Sequence, residues 1–103
     1  MSVLEKIQSE IEKNKVILFM KGTPQFPQCG FSAKAIKLLQ SSGIQEFATV
    51  NVLNDPEIRQ GIKDFSNWPT IPQLYVKGEF IGGCDIMTEM FDAGELQELI
   101  KSL

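Results

Sequence analysis

The chain has 103 residues, 43% of them hydrophobic, and 10 Lys/Arg against 13 Asp/Glu give a net charge of −3. That length fits one compact domain, expected to span 1–103; no apolar run approaches the roughly 20 residues that cross a bilayer, and no basic cluster offers a nucleic-acid footprint, so neither membrane nor nucleic acid is expected as a partner. Histidine is absent, which removes Cys–His and Ser–His nucleophilic pairs and leaves thiolates, carboxylates or a borrowed ligand for any metal chemistry.

The N-terminus has no secretory apolar region and mixes Glu5, Lys6, Glu10, Glu12 and Lys13, unlike an uncleaved transit peptide. Ser2 and Glu5 have the spacing of a capping box, and Val3, Leu4, Ile7 and Ile11 keep a helical period, predicting a helix over Ser2–Asn14. The continuous apolar run Val16–Met20 predicts a central strand buried on both faces. Two prolines make Gly22–Gln28 a loop. A helix follows from Cys29 to about Gln40, ended by Gly43, with Phe31, Ala35, Ile36, Leu38 and Leu39 expected inward.

Phe47–Val52 reads as a second strand parallel to the first, and Asp55-Pro56 supplies an N-cap and first-turn proline for a helix through about Phe65. Leu74–Val76, Lys77-Gly78 and Phe80-Ile81 read as a hairpin. Gly82-Gly83 permits a sharp turn before a short helix near Asp85, and Gly94 separates it from a last helix carrying Leu96, Leu99, Ile100 and Leu103. The order α-β-α-β-α-β-β-α-α implies an α/β fold with a four-stranded mixed sheet flanked by helices on both faces.

Two cysteines, Cys29 and Cys84, are too few for a disulfide scaffold, so a reducing compartment is expected: the cytoplasm, or the mitochondrial matrix for a processed chain. Cys29 sits where the proline loop turns into a helix, and the free N–H groups of a helix start favour thiolate. Lys21 adds positive potential. Ser32 occupies the i+3 position, so no intrahelical CxxC dithiol cycle exists. The competing reading of Cys29 is an inert buried thiol.

Lys21-Gly22-Thr23-Pro24, Pro27 and Cys29-Gly30-Phe31-Ser32 resemble the signature loop of the CGFS monothiol glutaredoxins, and Trp68-Pro69-Thr70-Ile71-Pro72 and Gly82-Gly83-Cys84-Asp85 match that family's further motifs in order. The resemblance implies a thioredoxin-like fold, glutathione binding and a role in iron–sulfur cluster storage, transfer or assembly. It places Gly30 and Phe31 beside the reactive Cys29. It further implies that Thr70, Ile71 and Pro72 line the site around a cis Ile71–Pro72 peptide, whose Ile71 backbone would pair with an extended peptide by strand addition. A rigid turn opening the strand is the plainer alternative. The resemblance sets Lys21, Arg59 and Lys63 around the glycyl carboxylate of glutathione; Arg59 and Lys63 share a helix face at i and i+4, although each alone reads as a solvated charge. Backbone groups of Gly83, Cys84 and Asp85 would take the γ-glutamyl end, with the Asp85 carboxylate on its ammonium. Asp85 equally reads as a helix N-cap. Trp68 reads as structural or partner-facing, and Cys84 as a small buried residue, a resolving thiol or a minor glutathione contact.

A [2Fe–2S] cluster commonly takes four thiolates. One chain offers Cys29 as its metal ligand and one bound glutathione offers a second sulfur, so a cluster-bridged homodimer completes the set. The rival readings are a glutathione-dependent thiol oxidoreductase, in which Cys29 attacks a glutathionylated substrate, and a regulatory module that binds a BolA-like protein. The carrier reading leads, with iron–sulfur acceptor proteins as partners and at most weak oxidoreductase activity.

Overall fold

The apolar run after the first helix becomes a strand, β1 (Val16–Met20), buried at all five positions. A computed structural model of the protein describes Met1–Leu103. Around β1 lie α1 (Val3–Lys13), α2 (Gly30–Ser41), β2 (Ala48–Asn51), α3 (Pro56–Ser66), β3 (Gln73–Val76), β4 (Glu79–Gly82), α4 (Cys84–Asp92) and α5 (Glu95–Lys101), with a 3-10 turn at Val52–Asn54. The sheet order is β2-β1-β3-β4, with β1 and β2 parallel and the other pairs antiparallel.

Strand alternation divides the core. Val16, Leu18 and Met20 pack with Ala35, Leu39, Met87 and Leu96, contributed by α2, α4 and α5. Ile17 and Phe19 point the other way and pack with Ile7, Ile11 and Ile62 of α1 and α3. Helices therefore cover both faces of a mixed sheet, which is the expected thioredoxin-like fold. The expected caps form as well: Ser2 and Glu5 exchange backbone–side-chain hydrogen bonds, and the Asp55 carboxylate accepts from the Glu57 and Ile58 amides ahead of Pro56.

Three expectations are corrected. Phe31 is 63% exposed rather than inward. The buried stripe of α2 runs through Ser32, Ala35, Ile36 and Leu39, an i, i+3, i+4, i+7 set that turns Phe31 outward in the first turn. Asp85 is not the N-cap of α4; the helix starts one residue earlier and Gly83 holds that place with no side-chain bond. The second strand is shorter than Phe47–Val52, because the Asn51 side chain accepts from the Leu53 amide and bends Val52 into the 3-10 turn.

The closest helix approach on the sheet's α1 face runs through Gly61, where a Cβ would meet the Val3 side chain and come within 3.0 Å of Ile7 Cδ1. Gly61→Val should therefore overpack the α1–α3 contact and lower stability by about 1–3 kcal/mol. A urea unfolding midpoint equal to wild type would show that the two helices separate without cost.

Candidate functional site

At the end of β1 the chain is tied into a closed loop. The Lys21 N–H donates to the Ser32 hydroxyl at 3.1 Å, and Ser32 is fully buried. The Gln28 N–H donates to the Lys21 carbonyl at 2.9 Å, and the Gly22 N–H to Asn51 Oδ1 at 2.9 Å. Gly22 has φ +92°, and a side chain there would strike the backbone of Phe26 and Gln28, so only glycine suits this crossing. The result is that Cys29 arrives in extended conformation as the N-cap residue of α2, half-buried with its thiol free.

That position lowers the Cys29 thiol below its ordinary range. The Ser32 amide is the main cause; burial opposes it, and the Phe31 amide, the Lys21 charge and the Ser32 hydroxyl add to the lowering. The neutral thiol makes no capping hydrogen bond, so these groups act by welcoming the anion. Cys84 is shifted the opposite way. It opens α4 with only 8% of its surface exposed, and burial pushes its thiol up; nearby Lys34 and the Thr88 hydroxyl pull it down, while the Asp85 and Cys29 charges add to the rise.

Two hollows adjoin at Phe31, Thr70 and Ile71. The one beside the reactive thiol, about 260 Å³, is also lined by Lys21, Cys29, Lys63 and Pro69. The other, about 170 Å³, is lined by Trp68, Pro72, Gly83, Cys84 and Asp85. Together they form a groove with two cations at one end and the start of α4 at the other. The Ile71–Pro72 peptide between them is cis, as the motif implies. Trp68, expected to be structural or partner-facing, packs its ring 5.8 Å from Phe80 and still walls the groove.

Two of the residues singled out from sequence stand apart. Gly30 opens α2 but lines neither hollow, and Arg59 is exposed on α3 and reaches neither, whereas Lys63, one turn on, lines the cationic end. Gln73 was overlooked. It is fully buried, and its amide donates to the carbonyls of Trp68 and Thr70, each at 3.1 Å, so it braces the groove wall from behind. The signal available was a polar residue opening an apolar strand directly after a proline. No group of three His, Cys, Asp or Glu side chains able to hold a metal exists within one chain, and no helix is long and apolar enough to cross a membrane.

The opposite shifts of the two thiols set an order of reactivity, since the thiolate is the nucleophile. Iodoacetamide should label Cys29 well before Cys84, with a rate that rises through a midpoint lower than that of an ordinary cysteine and falls away as acid protonates the sulfur. Faster labelling of Cys84, assigned by peptide mapping, would reverse the assignment.

A glutaredoxin family profile matches residues 16–81. The chain is 56% identical over 101 residues to Monothiol glutaredoxin-5, mitochondrial, of Saccharomyces cerevisiae, covering 96% of this chain and 67% of that protein. It is 51% identical over 100 residues to Glutaredoxin 4 of Escherichia coli, covering 97% and 86%. Among solved structures, that of reduced poplar apo GrxS14 superposes with a TM-score of 0.80 at 47% identity, over 95% of this chain and 89% of that one. With one reactive thiol at the front of α2, a cis-proline groove beside it and these relatives, the chain belongs to the monothiol glutaredoxin family.

Proposed function

We propose that the chain acts as a single glutaredoxin domain that binds glutathione in its groove and, as a pair of copies, holds a [2Fe–2S] cluster between Cys29 and the glutathione thiol for storage or transfer. The carrying observation is the polarity of the groove: Lys21 and Lys63 at the end beside Cys29, helix-start amides and Asp85 at the other. Glutathione has a carboxylate at each end and an ammonium at its γ-glutamyl end. Its glycyl carboxylate matches Lys21 and Lys63, with the more distant Arg59 adding long-range attraction. Its peptide backbone matches the open Ile71 groups beside Pro72 and Thr70. Its γ-glutamyl carboxylate matches the amides of Cys84 and Asp85, and the ammonium the Asp85 carboxylate. Gly30 and Phe31 form the first turn behind the sulfur.

The donor set fits a shared cluster. One chain has no metal cage of its own and one thiol poised to ionise, so two chains with two glutathiones make the four sulfurs that such a cluster takes. When bound, the cluster supplies iron and sulfide for delivery. The chain's own residues hold the tripeptide, favour the anionic form of Cys29 and leave the sulfur near the surface. Phe31, 63% exposed in the hollow it shares with Cys29, and Phe26, 75% exposed in the loop before it, give an acceptor protein or a BolA-like partner apolar surface to dock on. Relatives named mitochondrial in yeast and others in bacteria support the mitochondrial matrix and the bacterial cytoplasm alike as its compartment.

Anaerobic reconstitution with iron, sulfide and glutathione should give a coloured dimer in visible spectra and sizing chromatography. Leaving out glutathione, or Cys29→Ser, should remove colour and dimer together, while Cys84→Ser should keep most of both. Colour that persists without Cys29 or without glutathione sinks the ligand set.

The lowered Cys29 thiol also favours a second, weaker reading as a deglutathionylating enzyme. Cys29 thiolate attacks the glutathione sulfur of a mixed disulfide, and the substrate thiolate leaves and takes up a proton. The Cys29–glutathione disulfide is then cleaved by a second glutathione thiolate, which yields glutathione disulfide and restores Cys29. Slow turnover of a glutathionylated peptide, lost in Cys29→Ser, is expected; turnover no faster than that of the variant retires this reading.

A further inference from the structure

We propose that Gln73 is the positioning residue of the groove: its buried amide holds the Trp68 and Thr70 carbonyls inward and so presents the Ile71 N–H to the backbone of a bound peptide. The inference rests on the glutathione reading and concerns how the same site is aimed.

Gln73 opens β3 opposite Phe19 and shares the sheet face of Tyr75. Its side chain is fully buried. Nε2 lies 3.1 Å from Trp68 O and 3.1 Å from Thr70 O, and Oε1 lies 3.2 Å from the Tyr75 hydroxyl. Carbonyl oxygens only accept, so the NH₂ must face the loop and the amide oxygen must face Tyr75, whose hydroxyl is then the donor. Burial pushes the Tyr75 hydroxyl up to about 12, so that donor persists throughout the neutral range. Both Nε2 protons and Oε1 are thus engaged, and the amide has one orientation.

That orientation fixes a peptide plane. The Thr70–Ile71 bond is trans, the cis bond being the next one along, and in a trans peptide the C=O and N–H point opposite ways. Drawing the Thr70 carbonyl in toward Gln73 turns the Ile71 N–H out. In the stretch Pro69–Pro72 the two prolines have no N–H. The Ile71 N–H donates to no group of the chain, while Ile71 lines both hollows. An apolar side chain at position 73 would take the side-chain donor away from both loop carbonyls. The loop would then relax by turning them toward water, and the Ile71 N–H would swing with them.

The test is an NMR titration of ¹⁵N-labelled apo protein with reduced glutathione, comparing wild type with Gln73→Met and with Gly61→Val, a variant destabilised at the α1–α3 contact, where Gly61, Val3 and Ile7 line neither hollow. Wild type should show the Ile71 amide proton moving downfield with saturation. Gln73→Met should bind about 5-fold or more weakly and lose most of that shift, while Gly61→Val binds as wild type does. Equal affinity and an equal Ile71 shift in Gln73→Met would overturn the inference, as would a loss in Gly61→Val as large as that in Gln73→Met. Should Gln73→Met fail to fold, the wild-type titration still decides: saturation without an Ile71 shift refutes the presentation of that N–H. Absence of any binding by wild type retires the glutathione reading itself, and this inference with it.

Discussion

The placement of the reactive sulfur depends on one hydrogen bond between a strand end and a helix start. Ser32 is buried in the first turn of α2, and its hydroxyl accepts the Lys21 N–H as the chain leaves β1. The bond spans the whole proline loop and ties the first turn of α2 to the end of β1. Cys29 cannot drift, because it immediately precedes a helix pinned three residues further on. Ser32 also stands at the position a resolving cysteine would need. The same residue thus anchors the helix, stabilises the Cys29 thiolate through its amide and hydroxyl, and leaves the site with one thiol there instead of two.

The two cysteines show why a helix start does not by itself make a reactive thiol. Cys29 and Cys84 both lie at N-termini, of α2 and α4, where free amides favour an anion. The difference lies in which amides reach the sulfur and in how deeply it is buried: Cys29 receives the Ser32 and Phe31 amides, Cys84 receives none. At Cys29 the amides outweigh the cost of desolvation and the thiol falls; at Cys84 desolvation is the largest influence and the thiol rises. Two sulfurs that sit close enough to feel one another's charge are thus shifted in opposite directions, Cys29 toward the thiolate and Cys84 toward the thiol.

Most of the fold was legible because its signals are local and strong. The Val16–Met20 run, the Ser2–Glu5 box, Asp55-Pro56 and the Lys77-Gly78 turn each specify an element through a mechanism acting within a few residues, and each element formed. Where reading failed, the deciding contact was tertiary or turned on one residue of register. Phe31 fits a helical stripe on paper, but the stripe's centre is set by the docking of Ser32 and Leu39 against the sheet. Asp85 has the chemistry of an N-cap, but Gly83 lies where the backbone changes direction, and its own site is crowded by the Pro72 carbonyl and the Trp68 indole. Within the site, motif residues around Cys29 and Pro72 converge on the groove, whereas spacing alone could not separate Lys63, which lines it, from Arg59, which does not. Gln73 was missed for a different reason: its only signal was a polar residue opening the strand after Pro72, and its partners are carbonyls that any residue types would supply.

These features together make the site rigid behind and open in front. Behind it, Gln73 and Tyr75 tie down the loop before Pro72, and Ser32 ties down α2; in front, Phe26 and Phe31 are exposed and Cys29 is half-buried. A rigid backing lets backbone groups act as fixed hydrogen-bonding partners, since little ordering remains to oppose binding. An open front leaves space for sulfur from outside the chain. Cys84 is poorly placed to be that second sulfur, because ionising it would mean charging a buried group at the start of α4. On the proposed reading the missing donor comes instead with a tripeptide whose charges the groove already complements, so the need for glutathione follows from the same burial that keeps Cys84 silent.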